Sequence, residues 1–354
     1  MSIQVREDSM SYLFVGSYAP AEAEGIHLYQ FQAEGDGRLE RVNGYAGVAN
    51  PSFLTVDAAR RRLFAVSETA NGAVVSLRYD VETGAIEEVN RQLTQGDDPC
   101  HLITDPTGQW LLLVNYSSGN VNVYPIAADG SLGTLSDQVQ HAGHSVNPDR
   151  QESPHPHSIH NIPGTSFYLV PDLGLDQLVV YELDGEHGKL NQVSVTNTAP
   201  GSGPRHAAFH PSEPYVYVIH ELTSEAEVFE INRAEGTLTS VQKLTTLPAG
   251  LEGDSWCAEI AMAASGTYVY GSNRGDDSLV VYNLETPSQL HPVGWSSTKG
   301  NFPRHFTIVP NEPYVLAANQ NSDNMVVMKL NEQGIPVATG QEVQITKPVC
   351  LKFG

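Results

Sequence analysis

The chain has 354 residues, of which 40% are hydrophobic and 17% charged, enough apolar material for a large core and a composition that excludes a disordered protein. Nineteen Lys and Arg against 41 Asp and Glu give a formal net charge of −22, which repels phosphate backbones and anionic bilayers and argues against nucleic acid or membrane partners. Three cysteines in no paired spacing (Cys100, Cys257, Cys350), and an opening MSIQVREDSMSYLFVG without the apolar run of a signal peptide, point to a soluble cytoplasmic protein with reduced thiols.

The predicted elements alternate between two motifs. The first strand pair is YLFVGSYAPAEAEGIHLYQF from Tyr12, an apolar run, a polar turn and an alternating strand. A short motif, PSFLTV from Pro51, then precedes a second such pair, LFAVSETANGAVVSLRY from Leu63. The same order recurs as PCHLIT (Pro99) with WLLLVNYSSGNVNVYPI, PHSIHN (Pro156) with FYLVPDLGLDQLVVYEL, and PRHAAF (Pro204) with YVYVIHELTSEAEVFEI. It continues as CAEIAM (Cys257) with YVYGSNRGDDSLVVYNL and PRHFTI (Pro303) with YVLAANQNSDNMVVMKL, and ends on a lone PVCLKF from Pro348. The short motifs lie 48, 57, 48, 53, 46 and 45 residues apart.

A period of this size with several strands per unit is that of a propeller blade. Seven strand pairs and a short motif left over at the C-terminus predict an all-β, seven-bladed propeller of four antiparallel strands per blade, one domain over 1–354. Its closing blade combines about 12–47 with 346–353, which removes open edges.

If the short motif is the innermost strand and the next strand its antiparallel partner, the start of one and the end of the other meet at one mouth of the central channel, where a ligand would sit. The starts place Ser52, Cys100, His101, His157, Arg205, His206, Glu259, Arg304 and His305 there. The ends place Glu68, Asn115, Tyr116, Asp172, His220, Glu221, Asn273, Arg274, Asn319 and Gln320 there. Three of thirteen Arg and five of thirteen His gather in an acidic protein, as a small anionic substrate requires. Two blander roles stand beside this one: ring-stabilising pairs of Arg205, Arg274 and Arg304 with Glu221, Glu259 and Glu68, and histidines bonded to loop carbonyls. His155 and His157 share strand parity while His160 does not, and Pro156 lies between the first two; no metal site is expected. The SNRGDDS and NQNSDN turns lack the ordered acidic spacing of a calcium loop and are expected to be Asx-rich turns.

The segments HPHSIH, GPRHAAFHP, Tyr217–Leu222, WCAEIAM, SNRGDDSLVVY, FPRHFTIVP and AANQNSDN resemble the seven-bladed propeller lactonases from about Tyr12 to Phe353. That family includes the propeller-type 6-phosphogluconolactonases and is related to fungal carboxy-muconate cyclases. The resemblance implies a cofactor-independent hydrolase of a sugar lactone, 6-phosphoglucono-δ-lactone above all, a step of the pentose phosphate pathway. It implies a catalytic set of His157, Arg205, Glu221 and Arg274. His101, Asn115, Tyr116, His206, Glu259, Asn273, Arg304, His305 and Gln320 are expected to bind substrate. His157 or Glu221 would be the base and the arginines would hold oxyanion or phosphate. The alternatives are a muconate-type lactonising cycloisomerase and a non-enzymatic propeller that binds a protein over its face. The absence of WD and kelch signatures counts against the latter.

Overall fold

The computed structural model describes residues 11–251 and 253–354; the first ten residues, included in the expected domain, lie outside the described residues. The chain forms seven sheets of four antiparallel strands each. The innermost strands are Leu54–Asp57, Pro99–Thr104, His160–Asn161, Pro204–Phe209, Trp256–Met262, Pro303–Ile308 and Pro348–Phe353. We number the blades 1 to 6 in that order, with the closing blade seventh. In the closing blade, Pro348–Phe353 pairs with Ser11–Ser17 in the register Leu13↔Phe353 and Gly16↔Cys350, and Glu24–Gln32 and Arg38–Ala46 follow outward. The last strand of the chain is thus the inner strand of its first sheet. Among the described residues no helix is long and apolar enough to cross a membrane.

The core lies between neighbouring sheets. Middle strands bury side chains on both faces, so they read as apolar runs, whereas outermost strands such as Thr237–Thr245 alternate. Tyr124, Tyr181, Phe229 and Tyr282, on the third strands, are at most 1% exposed. Burying one such ring contributes about 1.5–3 kcal/mol. The hydroxyls of Tyr124 and Tyr282 donate to Leu93 O (3.0 Å) and Thr245 O (2.7 Å), the last residues of the preceding blades' outer strands, so each ring also fastens two blades.

Two local devices position the site. Each inner strand of blades 2, 4, 5 and 6 carries a register shift near its start, for example between Pro204↔His220 and His206↔Ile219. One extra residue there turns two consecutive side chains toward the channel. The turn between second and third strands needs a left-handed residue, filled by Asn71, Gly119, Asp176, Ser224, Asp277 and Asp323 in blades 1 to 6, with φ between 51° and 68°. Aspartates suit this position twice, because their carboxylates then accept N–H groups from the loop leading to the next blade. Asp176 accepts from Gly201 N (2.6 Å) and Gly203 N (2.8 Å), Asp277 from Phe302 N (2.7 Å), and Asp323 from Lys347 N (2.8 Å). Asp277 of GDDS and Asp323 of NSDN are therefore loop anchors, while Asp276 accepts from Ser278 Oγ within its own turn.

Candidate active site

The channel opens at one end into a cavity of about 480 Å³ lined by Glu68, Cys100, Tyr116, Arg150, His157, Glu221, Trp256, Arg274, Phe302 and Arg304. Successive blades supply these groups: Glu68 from blade 1, Cys100 and Tyr116 from blade 2, His157 from blade 3, Glu221 from blade 4, Arg274 from blade 5 and Arg304 from blade 6. Below lies a narrow neck lined by Ser52, Phe53, Arg205, His206 and His305, and beyond it a second cavity of about 350 Å³ at the opposite mouth.

Glu221 is the centre of the upper mouth. Its Oε2 accepts from Arg205 Nε (3.0 Å) and lies 2.8 Å from Arg274 Nη2, and its Oε1 accepts from Arg150 Nη2 (2.6 Å). Burial alone raises a carboxyl group, but Arg274 and Arg205, with His157 and Arg150, outweigh it and hold Glu221 well below the usual carboxylate range. A carboxylate so held keeps its charge, and its lone pairs are taken by the surrounding guanidinium groups. Arg205 is in turn fixed by Nη1 to Ala258 O (2.7 Å) and Arg274 by Nη2 to Cys257 O (2.6 Å), so backbone of blade 5 aims both forks. Burial, with Arg274 and Arg304 close by, lowers Arg205 to about 10, which leaves it protonated at neutral pH.

His157 lies beside this network without a hydrogen bond to Glu221. Its Nδ1 is 4.0 Å from Cys100 Sγ, and its ring meets those of Tyr116 and His206 edge-on, each at 5.3 Å. Burial first, then Arg205 and His206, push it well below the usual histidine value, so the imidazole is neutral with a lone pair to offer. Cys100 is buried and raised, hence a thiol and no nucleophile.

The expected site residues divide into three groups. His157, Glu221, Arg274, Tyr116 and Arg304 line the upper cavity, with Arg205 directly beneath. His101, His206, Glu259 and His305 belong to the neck and lower mouth, where His206 Nδ1 and His305 Nε2 lie 3.0 and 3.1 Å from Glu259 Oε2. Asn115, Asn273 and Gln320 do not line the upper cavity. Asn115 and Asn273 donate through Nδ2 to Thr94 O (3.2 Å) and Thr246 O (2.9 Å), and Asn319 does the same to Thr298 O (3.1 Å). An Asn at the end of a second strand thus ties its blade to the one before. Gln320 bonds Phe302 O through its backbone N–H (3.0 Å).

Other expected pairings also change. Arg304 does not pair with Glu68, whose carboxylate accepts from Tyr18 Oη (2.9 Å) and Ser52 Oγ. Glu259 meets histidines where an arginine was expected. Asp172 is fully buried against His141 Nδ1 (2.6 Å) and His155 N (2.8 Å) and does not line the upper cavity. The parity of SPHPHSIH is overturned as well: Pro156 bridges Asp172 while His160 pairs with Leu169, so one extra residue sits between them and His160 reaches the lower cavity. His155 stacks on Tyr116 at 4.4 Å and donates to its carbonyl (3.0 Å), away from His157.

Arg150, Trp256 and Phe302 were absent from the expected set. Arg150 arrives on the extra chain behind the longest interval, 57 residues, which was its one signal in the sequence, whereas Trp256 and Phe302 each stand directly before a short motif, Trp256 as the first residue of its inner strand. The loop bearing Arg150 is held through Ser145 Oγ to Asp176 Oδ2 (2.5 Å), so Asp176 anchors the loops of both Arg150 and Arg205.

A family model described as a seven-bladed β-propeller lactonase matches residues 12–353. The chain is 33% identical to a 6-phosphogluconolactonase of Bacillus subtilis, over 96% of this chain and 97% of that one. It is 31% identical to a 6-phosphogluconolactonase of Pectobacterium carotovorum, over 89% and 90% of the two chains. Among solved structures, a periplasmic gluconolactonase of Pseudomonas aeruginosa superposes with a TM-score of 0.91 at 32% identity, over 98% of this chain and 99% of that one.

Proposed function

The chain belongs to the seven-bladed β-propeller lactonase family, and on that premise we propose that it hydrolyses 6-phosphoglucono-δ-lactone to 6-phosphogluconate, at the mouth where Arg150, Arg205 and Arg274 converge on Glu221 beside a neutral His157. That convergence carries the reading: it fixes guanidinium donors in a buried pocket next to an unprotonated base, the two requirements of ester hydrolysis by water. His157 takes a proton from a water molecule as its oxygen attacks the lactone carbonyl. The oxygen of that carbonyl becomes an alkoxide facing the remaining donors of Arg205 and Arg274. When the ring C–O bond breaks, the proton on His157 passes to the leaving hydroxyl, and the new acid ionises to carboxylate. Glu221 orients the two arginines and stabilises the imidazolium that forms. It is a positioning residue, since its lone pairs already serve three guanidinium groups. A phosphorylated sugar lactone is an intracellular metabolite of the pentose phosphate pathway, so the proposal places the protein in the cytoplasm.

Relatives named for phosphorylated and for plain gluconolactones are about equally similar to this chain, so the substrate is tested directly. The experiment couples 6-phosphogluconate release to its NADP-dependent dehydrogenase, with spontaneous lactone opening subtracted. The wild type is expected to turn over, and Arg205→Ala to lose about 10²–10³-fold in kcat/KM. Equal rates for the wild type and Arg205→Ala would remove the site from the reaction.

A further inference from the structure

The donors of the upper mouth are not spent equally. Arg150, Arg205 and Arg274 share the Glu221 carboxylate, and the last two also give nitrogens to backbone carbonyls. Arg304 has no carboxylate within ion-pair distance among the described residues. Its guanidinium lies over the Tyr18 ring at 5.5 Å; of the two acids that act on it, Glu68 is taken by Tyr18 and Ser52 and Glu221 by the other three arginines. Tyr18 therefore holds the arginine by its ring face and diverts the nearby carboxylate with its hydroxyl, so the Arg304 fork is positioned and left unpaired. Four guanidinium groups and two carboxylates meet around the upper cavity and neck, a surplus of two positive charges in a protein of net −22. A phosphate monoester near neutral pH carries close to two negative charges.

Position completes the picture. His157 and Glu221 stand on blades 3 and 4, while Arg304 stands on blade 6, across the channel from His157. A sugar lactone esterified at the far end of its carbon chain separates carbonyl and phosphate in the same way. We propose that Arg304 is the residue that selects phosphorylated over plain lactones: the substrate spans the mouth with its carbonyl on the side of blades 3 to 5 and its phosphate on Arg304. The inference rests on the lactonase reading and assigns the phosphate pole within it.

The test compares 6-phosphoglucono-δ-lactone with glucono-δ-lactone on the wild type, Arg304→Gln and Arg304→Lys. The ratio of kcat/KM for the phosphorylated over the plain lactone is expected to fall about 10- to 100-fold in Arg304→Gln, mainly through KM, with partial recovery in Arg304→Lys. A ratio unchanged in Arg304→Gln, whatever happens to the absolute rates, overturns the assignment and leaves the lactonase reading intact. A wild type without preference for the phosphorylated lactone also overturns it. Calorimetry with 6-phosphogluconate, gluconate and inorganic phosphate asks the same of binding alone. Preferential binding of the phosphorylated acid that is lost in Arg304→Gln supports the assignment even if neither lactone is turned over. Equal binding of the two acids contradicts it. Inorganic phosphate that binds as tightly as 6-phosphogluconate shows a free-anion site and overturns it too.

Discussion

The two mouths of the channel are built from the same inner strands, yet arginines crowd one and uncharged imidazoles the other. At the upper mouth four arginines and two glutamates gather. At the lower mouth lie His101, His160, His305 and Glu259, with Lys352 over the Phe53 ring at 4.5 Å. Connection length accounts for much of the difference. The turns joining first and second strands, at the lower end, have five residues in blades 2 to 6, too few to reach over the opening. The connections between blades open at the upper end and are free to lengthen, and the longest, between Gln140 and His160, brings Arg150. Function has room where chain length is unconstrained.

Removing the hub of the charged mouth should give the largest effect. Glu221→Gln leaves three guanidinium groups facing one another in a buried pocket, so kcat/KM is expected to fall about 10³-fold, with a loss of about 3–5 kcal/mol in stability by urea unfolding. An intact midpoint would mean that the arginines repack without their carboxylate. His157→Asn separates chemistry from structure: kcat should drop about 10²–10⁴-fold. Its melting temperature should stay close to that of the wild type, since the ring has no ion pair to lose. Near-equal losses of kcat and stability would assign His157 to packing. Lys352→Met, at the opposite mouth, should alter kcat/KM by less than about threefold, because well-separated sites act independently. A larger change would show that the two mouths communicate through the neck.

The contrast between the mouths also separates what was legible in the sequence from what was not. Blade number, strand order and closure by Pro348–Phe353 follow from spacing alone, because each blade repeats one apolar pattern. The meeting of Arg205, Glu221 and Arg274 follows from counting strand ends. Strand parity failed where a bulge adds a residue: it put His160 on the wrong face, and nothing in a Pro-rich start signals how many residues bulge. Asn115 and Asn273 were misassigned because a polar residue at a strand end suits a ligand or a neighbouring blade equally well, and only the carbonyls of Thr94 and Thr246 decide between them. Arg150 comes from outside the repeat, so no alignment of blades reaches it.

The smallest expected effect concerns the lower mouth and acid. Burial, followed by neighbouring positive charge, lowers His101 and His206 well below the ordinary histidine value. Burial, partly opposed by Glu259, lowers His160 to about 4 and His305 to about 3. In the unfolded chain the same histidines take up protons near pH 6.5. Between those limits the unfolded state binds more protons than the folded one, so their stabilising contribution is full above about pH 6.5 and is lost as the pH falls. Glu221, held well below the usual carboxylate range, does not titrate in that window, and the upper network should outlast the lower mouth on acidification. Each histidine adds a slope of up to about 1.4 kcal/mol per pH unit. His160→Gln keeps a side chain able to donate to Ser158 Oγ, 2.9 Å from His160 Nε2, and removes one such proton. Urea midpoints from pH 6.5 to 4.5 should therefore fall less steeply in His160→Gln than in the wild type. Superimposable slopes would mean that His160 protonates freely in the folded protein, and that the lower mouth is wetter than its histidines imply.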